Sequence, residues 1–193
     1  MKKELPISQK IKIESSQNTV VICFTNPKER SPLSIEILEY LHQILNDLAV
    51  QSHLEKIIFT GMDDVFASGA NLREIAEVTS ETAKEYALRG QNLMRKISEL
   101  PNETVAFVNG FCFGGALDLA LSCDKRIATP NAVFCHPGAN LGIMTGWGGT
   151  QRLPRLIGEA RALEMFLTAK RVGAEEALLI GLVDEIAKTL EEK

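Results

Sequence analysis

The 193-residue sequence contains no apolar run long enough to cross a bilayer, which excludes a membrane-spanning helix. It has no CxxC pair and no zinc-type spacing among its four cysteines (Cys23, Cys112, Cys123 and Cys135) and three histidines, so neither a metal site nor a disulfide framework is expected. Positive charge is not in excess: the formal net charge is −4, which argues against nucleic acid or an anionic membrane surface as partner. The opening MKKELPISQK starts with a pair of lysines but has no apolar stretch behind them, so a secretory signal is not expected. With the cysteines mostly in apolar runs, as buried free thiols, a reducing cytoplasmic location is the expectation. No linker, low-complexity tract or strict repeat appears, and residues 1–193 read as one domain.

Two further absences narrow the chemistry. GxSxG is missing, which argues against a nucleophile elbow. The stretch GWGGT (146–150) lacks a P-loop lysine, and Gln151 stands where GxGxxG would need its last glycine, so a nucleotide loop is not supported.

What is present alternates. Segments rich in β-branched and apolar residues recur at 10–14, 19–25, 55–60, 104–109, 126–128 and 133–135. Between them, apolar residues three and four apart predict helices over 34–50, 79–100, 152–168 and 174–180, the first starting at Ser34 with Glu36 in its first turn. The short polar link SSQN predicts a hairpin of the first two strands; the rest predicts an α/β fold with mostly parallel strands. Glycines gather where strands should end, at Gly61 and Gly69, at 110–115 and at 138–149, and loops beyond the carboxyl ends of parallel strands are where ligands bind. Any one of these glycines could equally serve only a turn.

The stretch 105–123 carries the most chemical information. A strand ends at Asn109, and Gly114 and Gly115 open a helix, ALDLALS, that is apolar nearly all round and therefore buried. The free N–H groups of a buried helix start need an acceptor, and glycines lacking Cβ let an outside oxygen come close. That is the arrangement of an oxyanion hole; tight helix–strand packing is the structural alternative. Asp118, the one charge in that helix, lies a turn beyond Gly115. It is either paired structurally, with Lys125, Arg126 or a backbone N–H, or an acid/base with a raised pKa. His136, at the edge of a glycine-rich loop, is either a hydrogen-bonded structural residue or a second proton-transfer group.

Five blocks occur in order: TNPKERSPLS (25–34), FASGANLREI (66–75), FVNGFCFGGALDLALSCDKRIA (107–128), GWGGTQRLPRLIG (146–158) and AEEALLIGLVDEI (174–186). With them the chain resembles the crotonase (enoyl-CoA hydratase/isomerase) superfamily along nearly its whole length. The resemblance implies an α/β spiral of ββα units, of the kind shared with ClpP, and an acyl-CoA thioester as ligand, with coenzyme A part of the substrate and no separate cofactor. It implies an oxyanion hole made by the backbone N–H groups of Ala70 and Gly115, with Gly114 beside it. The loop Phe66, Ala67, Ser68, Gly69 and Ala70, with Leu72, is implied to pack the coenzyme A adenine, and Arg30 to lie near its phosphates. Acyl-pocket walls are expected from residues 72–94.

The departures bear on mechanism. Of the two glutamates with which the family's hydratases work, the first matches Asp118 and the second matches Gly138; Asn71 replaces the usual aspartate after the oxyanion alanine. The family's chains usually continue past GLVDEI into helices that cover the acyl pocket and join subunits into trimers or hexamers, so the fold is expected to lack that C-terminal helical region, while a homo-oligomer is still implied. The leading expectation is an enoyl-CoA hydratase/isomerase-type lyase of fatty acid metabolism. A catalytically impaired acyl-CoA-binding scaffold, or a decarboxylase or hydrolase working through His136, are the alternatives.

Overall fold

The computed structural model describes residues 7–190. The N-terminal stretch read for a secretory signal falls mostly outside the described residues, as do the last three.

The chain begins with a hairpin, β1 (Ile11–Ser16) and β2 (Thr19–Phe24), paired antiparallel with Ile11 opposite Phe24 and Ser16 opposite Thr19. The pattern then repeats. A strand of a six-stranded sheet is followed by a short strand outside it and then by one or more helices. Four strands of the large sheet, β4 (Lys56–Gly61), β7 (Glu103–Val108), β9 (Lys125–Ala128) and β12 (Glu185–Ile186), add to β2 in chain order, all parallel. The short strands β5 (Val65–Ala67), β8 (Phe111–Phe113) and β10 (Val133–Cys135) add in the same order in a second sheet, closed by β11 (Val172–Gly173). A third pairing joins β3 (Pro32–Leu33) to β6 (Gly69–Ala70). Two sheets that advance together, with helices following each pair of strands, make a progression of ββα units, the spiral that the resemblance implied.

The helices are α1 (Ile35–Ala49), α2 (Leu72–Ala76), α3 (Ala83–Ser98), α4 (Gly115–Ala120), α5 (Gly149–Ile157), α6 (Glu159–Thr168) and α7 (Ala174–Leu179). Ser34 caps α1 by accepting the Ile37 N–H, and Ile37, Leu38, Leu41, Leu45 and Leu48 bury one face of that helix. The third helix starts at Ala83, four residues later than its periodicity predicts, after a turn around Thr79–Thr82. The single helix expected over 152–168 is two, because Gly158 takes φ of 87°, where no L side chain is comfortable, and turns the chain between α5 and α6.

Asn109 fastens the strand ends that carry the ligand-side loops. Its Oδ1 accepts the Gly61 N–H at 2.9 Å, and its Nδ2 donates to the Asp63 carbonyl at 2.9 Å. Arg126 fastens the last strand. Its guanidinium donates to the Leu182 carbonyl (3.1 Å), the Cys123 carbonyl (2.9 Å) and the Asp184 carboxylate (3.0 Å), which also accepts the Arg126 backbone N–H at 2.8 Å. Arg126 is therefore occupied by Asp184 and is not the partner of Asp118. Among the described residues no helix is long and apolar enough to cross a membrane.

Replacing Arg126 by Met leaves two buried carbonyls and the Asp184 carboxylate short of donors. We expect a loss of about 2–4 kcal/mol in urea unfolding, with early loss of protection at the β12 amides in hydrogen exchange.

Candidate active site

The loop 66–70 runs against the start of α4. Its Ser68 N–H donates to the Arg30 carbonyl at 2.9 Å, and β6 then pairs with β3. Gly69, with φ of 86°, passes so close to α4 that an ideal Cβ on it would lie 2.5 Å from the Phe113 carbonyl oxygen and 2.6 Å from the Gly115 nitrogen. Gly114 takes φ 54° and ψ −123°, a conformation suited to glycine, and its N–H donates to the Cys135 carbonyl at 2.8 Å. That bond leaves the Gly115 N–H as the next donor, beside Ala70. Ala70 and Gly115, the two residues implied by resemblance, thus come from two adjoining elements, β6 and the start of α4.

Around them lies a cleft of about 460 Å³, walled mainly by apolar side chains of α2, α3 and the loop 137–147. Ser68, Ala70, Leu72, Gly114, Gly115, His136 and Gly138 all line it. Ser68, Ala70 and Leu72 also line a second, more polar cleft of about 450 Å³ that runs toward Asn26, Ser31 and Lys10. Phe66 and Ala67 are placed elsewhere: both side chains are fully buried, Phe66 edge-on to Phe24 with ring centroids 5.7 Å apart, so they belong to the core rather than to a cleft wall. Arg30 is exposed, its guanidinium 5.8 Å above the Phe111 ring. Asn71 caps α2, accepting the Arg73 N–H at 3.0 Å.

Behind the donors, Asp118 is fully buried. Of the partners weighed from the sequence neither Lys125 nor Arg126 reaches it, while the Trp147 and Gly149 backbone amides do act on it; the Thr145 hydroxyl donates to Oδ2, and Oδ1 has no partner within hydrogen-bond distance. His136 Nε2 lies 3.6 Å from that Oδ1, too far for a hydrogen bond, and neither ring nitrogen has a partner. Burial lifts the Asp118 carboxyl to about 7, against smaller opposing pulls from Thr145, the Trp147 and Gly149 amides and the Arg152 guanidinium. Burial alone pulls the His136 imidazole down to about 4. Both groups therefore prefer their neutral forms, and the close pair is not an ion pair at neutral pH. A carboxyl titrating near neutrality can both give and take a proton.

Space for the pair comes from a missing side chain: an ideal Cβ on Gly149, the first residue of α5, would collide with Asp118 Oδ1 and lie 3.1 Å from His136 Cε1. Trp147 is held likewise. Its indole fits a slot between Gly90 of α3 and Gly115 of α4, and a Cβ on either glycine would collide with the ring. Sequence reasoning passed over Thr145, Trp147, Phe166 and Tyr86, all of which line the cleft. The lone tryptophan inside a glycine run was the one available signal.

Gly138 has a backbone reason to be glycine. A Cβ there would lie 2.5 Å from the Ile143 carbonyl oxygen, and the Ile143 N–H donates back to the Gly138 carbonyl at 3.0 Å. No second carboxylate faces Asp118 from this position.

The family model described as enoyl-CoA hydratase/isomerase matches residues 14–192. The chain is 34% identical over 180 residues to a short-chain-enoyl-CoA hydratase of Clostridium acetobutylicum, covering 93% of this chain and 69% of that protein. Its fold superimposes on the crystal structure of an enoyl-CoA hydratase from Bacillus anthracis with a TM-score of 0.87 at 34% identity, over 93% of this chain and 70% of that one. An enoyl-CoA hydratase from Thermoplasma volcanium gives a TM-score of 0.90 at 28% identity, over 96% and 75% of the two chains.

The two buried groups bias stability in opposite directions with pH. Asp118 holds its proton up to about pH 7 in the fold but only to about 3.9 unfolded, so it removes stability as pH rises through that window. His136 is neutral down to about 4 in the fold but protonates near 6.5 unfolded, so it removes stability as pH falls from 6.5 to 4. Relative to wild type, Asp118→Asn should therefore lose stability more steeply on acidification below pH 6.5, and His136→Gln on alkalinisation from pH 4 to 7, each by up to about 1.4 kcal/mol per pH unit. Urea unfolding across pH 4–8 measures this; two curves parallel to wild type would show that neither group is buried in its neutral form.

Proposed function

The chain belongs to the enoyl-CoA hydratase/isomerase family, and on that premise we propose that it acts on an acyl-CoA thioester, polarising its carbonyl with the backbone N–H groups of Ala70 and Gly115. The observation that supports this reading is the close approach of Gly69 to the Gly115 nitrogen, with Ala70 and Gly115 both lining one apolar cleft. Donors fixed in a water-poor site stabilise the enolate that forms when a nucleophile adds to an α,β-unsaturated thioester, at about 3–4 kcal/mol per donor.

With glycine at position 138, one carboxyl has to do the work of two. Asp118 as carboxylate takes a proton from water while the water oxygen bonds to the β carbon, and the electron pair of the double bond moves to the thioester as an enolate. The resulting carboxylic acid then returns the proton to the α carbon. Protons balance within the cycle, and a pKa near 7 suits both halves. His136, neutral and 3.6 Å from Asp118, keeps that corner free of a second charge and leaves the proton with the carboxyl, which is the stronger base of the two.

The absence of a side chain at Gly138 also favours a second reading, an acyl-CoA-binding scaffold without turnover. Assays of crotonyl-CoA hydration, its reverse and double-bond migration separate the two. We expect turnover by the wild type and a fall in kcat of about 10²–10⁴-fold in Asp118→Asn, with KM changed only a few-fold. Wild type and variant alike inactive, while a CoA thioester still binds both, would establish the scaffold.

A further inference from the structure

Among the described residues, six buried side-chain polar atoms have no hydrogen-bond partner, and four of them, on Tyr86, Asp118 and His136, belong to the wall of one cleft or the pair behind it. The proton-transfer reading uses Asp118 and His136 and leaves the Tyr86 hydroxyl unexplained. A buried phenol normally has an acceptor. This one, on α3, is closed to bulk water and has none. Phenylalanine would fill the same volume without burying an unpaired hydroxyl, so the free fold gains nothing from the oxygen. Burial, with the nearby Glu74 carboxylate, pushes the group up to about 12, so it is a hydrogen-bond donor at every physiological pH.

Its position relates it to the reacting carbonyl. The Tyr86 and Trp147 rings are 6.3 Å apart, and the far edge of the same indole lies against Gly115. One indole therefore separates the phenol from the oxyanion donor. The wall around Tyr86 is otherwise apolar, formed by Leu72, Ile75, Val78, Ala83 and Ala87. None of these side chains can accept a hydrogen bond, and the Glu74 carboxylate acts on the phenol through space without bonding to it; since the Tyr86 ring lines the cleft, a small turn of the ring brings the hydroxyl to an oxygen carried by the ligand.

We propose that Tyr86 selects acyl thioesters bearing a second oxygen function, a hydroxyl, carbonyl or carboxylate, a few carbons from the thioester carbonyl. The proposal rests on the reading of this cleft as an acyl-thioester site. A site with a buried, otherwise unpaired donor discriminates strongly against the analogue that lacks the matching oxygen.

Calorimetric titration of butyryl-CoA, 4-hydroxybutyryl-CoA and succinyl-CoA into wild type and Tyr86→Phe tests it. In the wild type at least one oxygenated thioester should bind about tenfold or more tightly than butyryl-CoA, and in Tyr86→Phe that ratio should fall close to one. The two oxygenated ligands distinguish a neutral hydroxyl from a carboxylate as the acceptor. The melting temperature of the variant should equal or exceed that of wild type, which a structural role for the hydroxyl would not allow. A wild-type ratio near one for both oxygenated ligands, or a ratio that survives in the variant, overturns the Tyr86 assignment and leaves the acyl-thioester reading standing. Failure of all three thioesters to bind overturns both.

Discussion

The site depends on backbone reaching places where a Cβ would collide. Gly69 against the start of α4, Gly90 and Gly115 against the two ends of the Trp147 indole, and Gly149 against Asp118 are four such contacts within one small volume. Each is a van der Waals constraint, and together they bring four chain segments, 66–70, α3, α4 and the loop leading into α5, into a single packed unit. Close packing of this kind transmits small displacements, since an interior at crystal-like density has no slack to absorb them. An added methyl at Gly115 would meet the indole, and the indole is already pressed on α3; the start of α4 is thereby located by packing, through the indole, on α3.

The same packing explains the electrostatics. With the indole and the Gly149 backbone closing over α4, Asp118 is removed from water and keeps one hydroxyl partner, Thr145. Desolvation then outweighs the donors and the Arg152 charge, and the carboxyl rises toward neutrality instead of being held ionised. His136 undergoes the opposite displacement for the same reason. Two groups that would form an ion pair in a wetter setting are held neutral, and neither adds stability to the fold through its charge.

Much of this was legible in the residues. Segments rich in β-branched and apolar residues matched β1, β2, β4, β7 and β9 of the large sheet to within a residue or two, while β12, two residues long, went unread. The short strands β5, β6, β8 and β11 were not legible, since two or three residues carry no periodicity and exist only because neighbouring strands receive them. The break at Gly158 was hidden within one amphipathic pattern, because the two helices bury faces that run on from one to the other. At the site, Gly114, Gly115, Asp118 and His136 stood out as glycine pair, lone buried charge and loop histidine. Tyr86, Trp147 and Phe166 did not, because aromatic residues in apolar surroundings read as core until a cleft is seen beside them.

Position 138 shows how a single glycine can be fixed by the main chain around it. Here the departure from the family's two-carboxylate arrangement is built into the main chain: the Ile143 carbonyl occupies the direction a side chain would take, and the Ile143 N–H secures that turn. A glutamate at this position would need the loop 138–143 rebuilt, so the missing carboxylate is not a single lost group waiting to be restored. The amides of Ala70 and Gly115 depend on other elements, β6 and α4, and are untouched by that loop. The turn at position 138 and the elements that carry Ala70 and Gly115 are thus separate parts of the fold, and Asp118 stands apart from both, as a buried carboxyl with a pKa near 7.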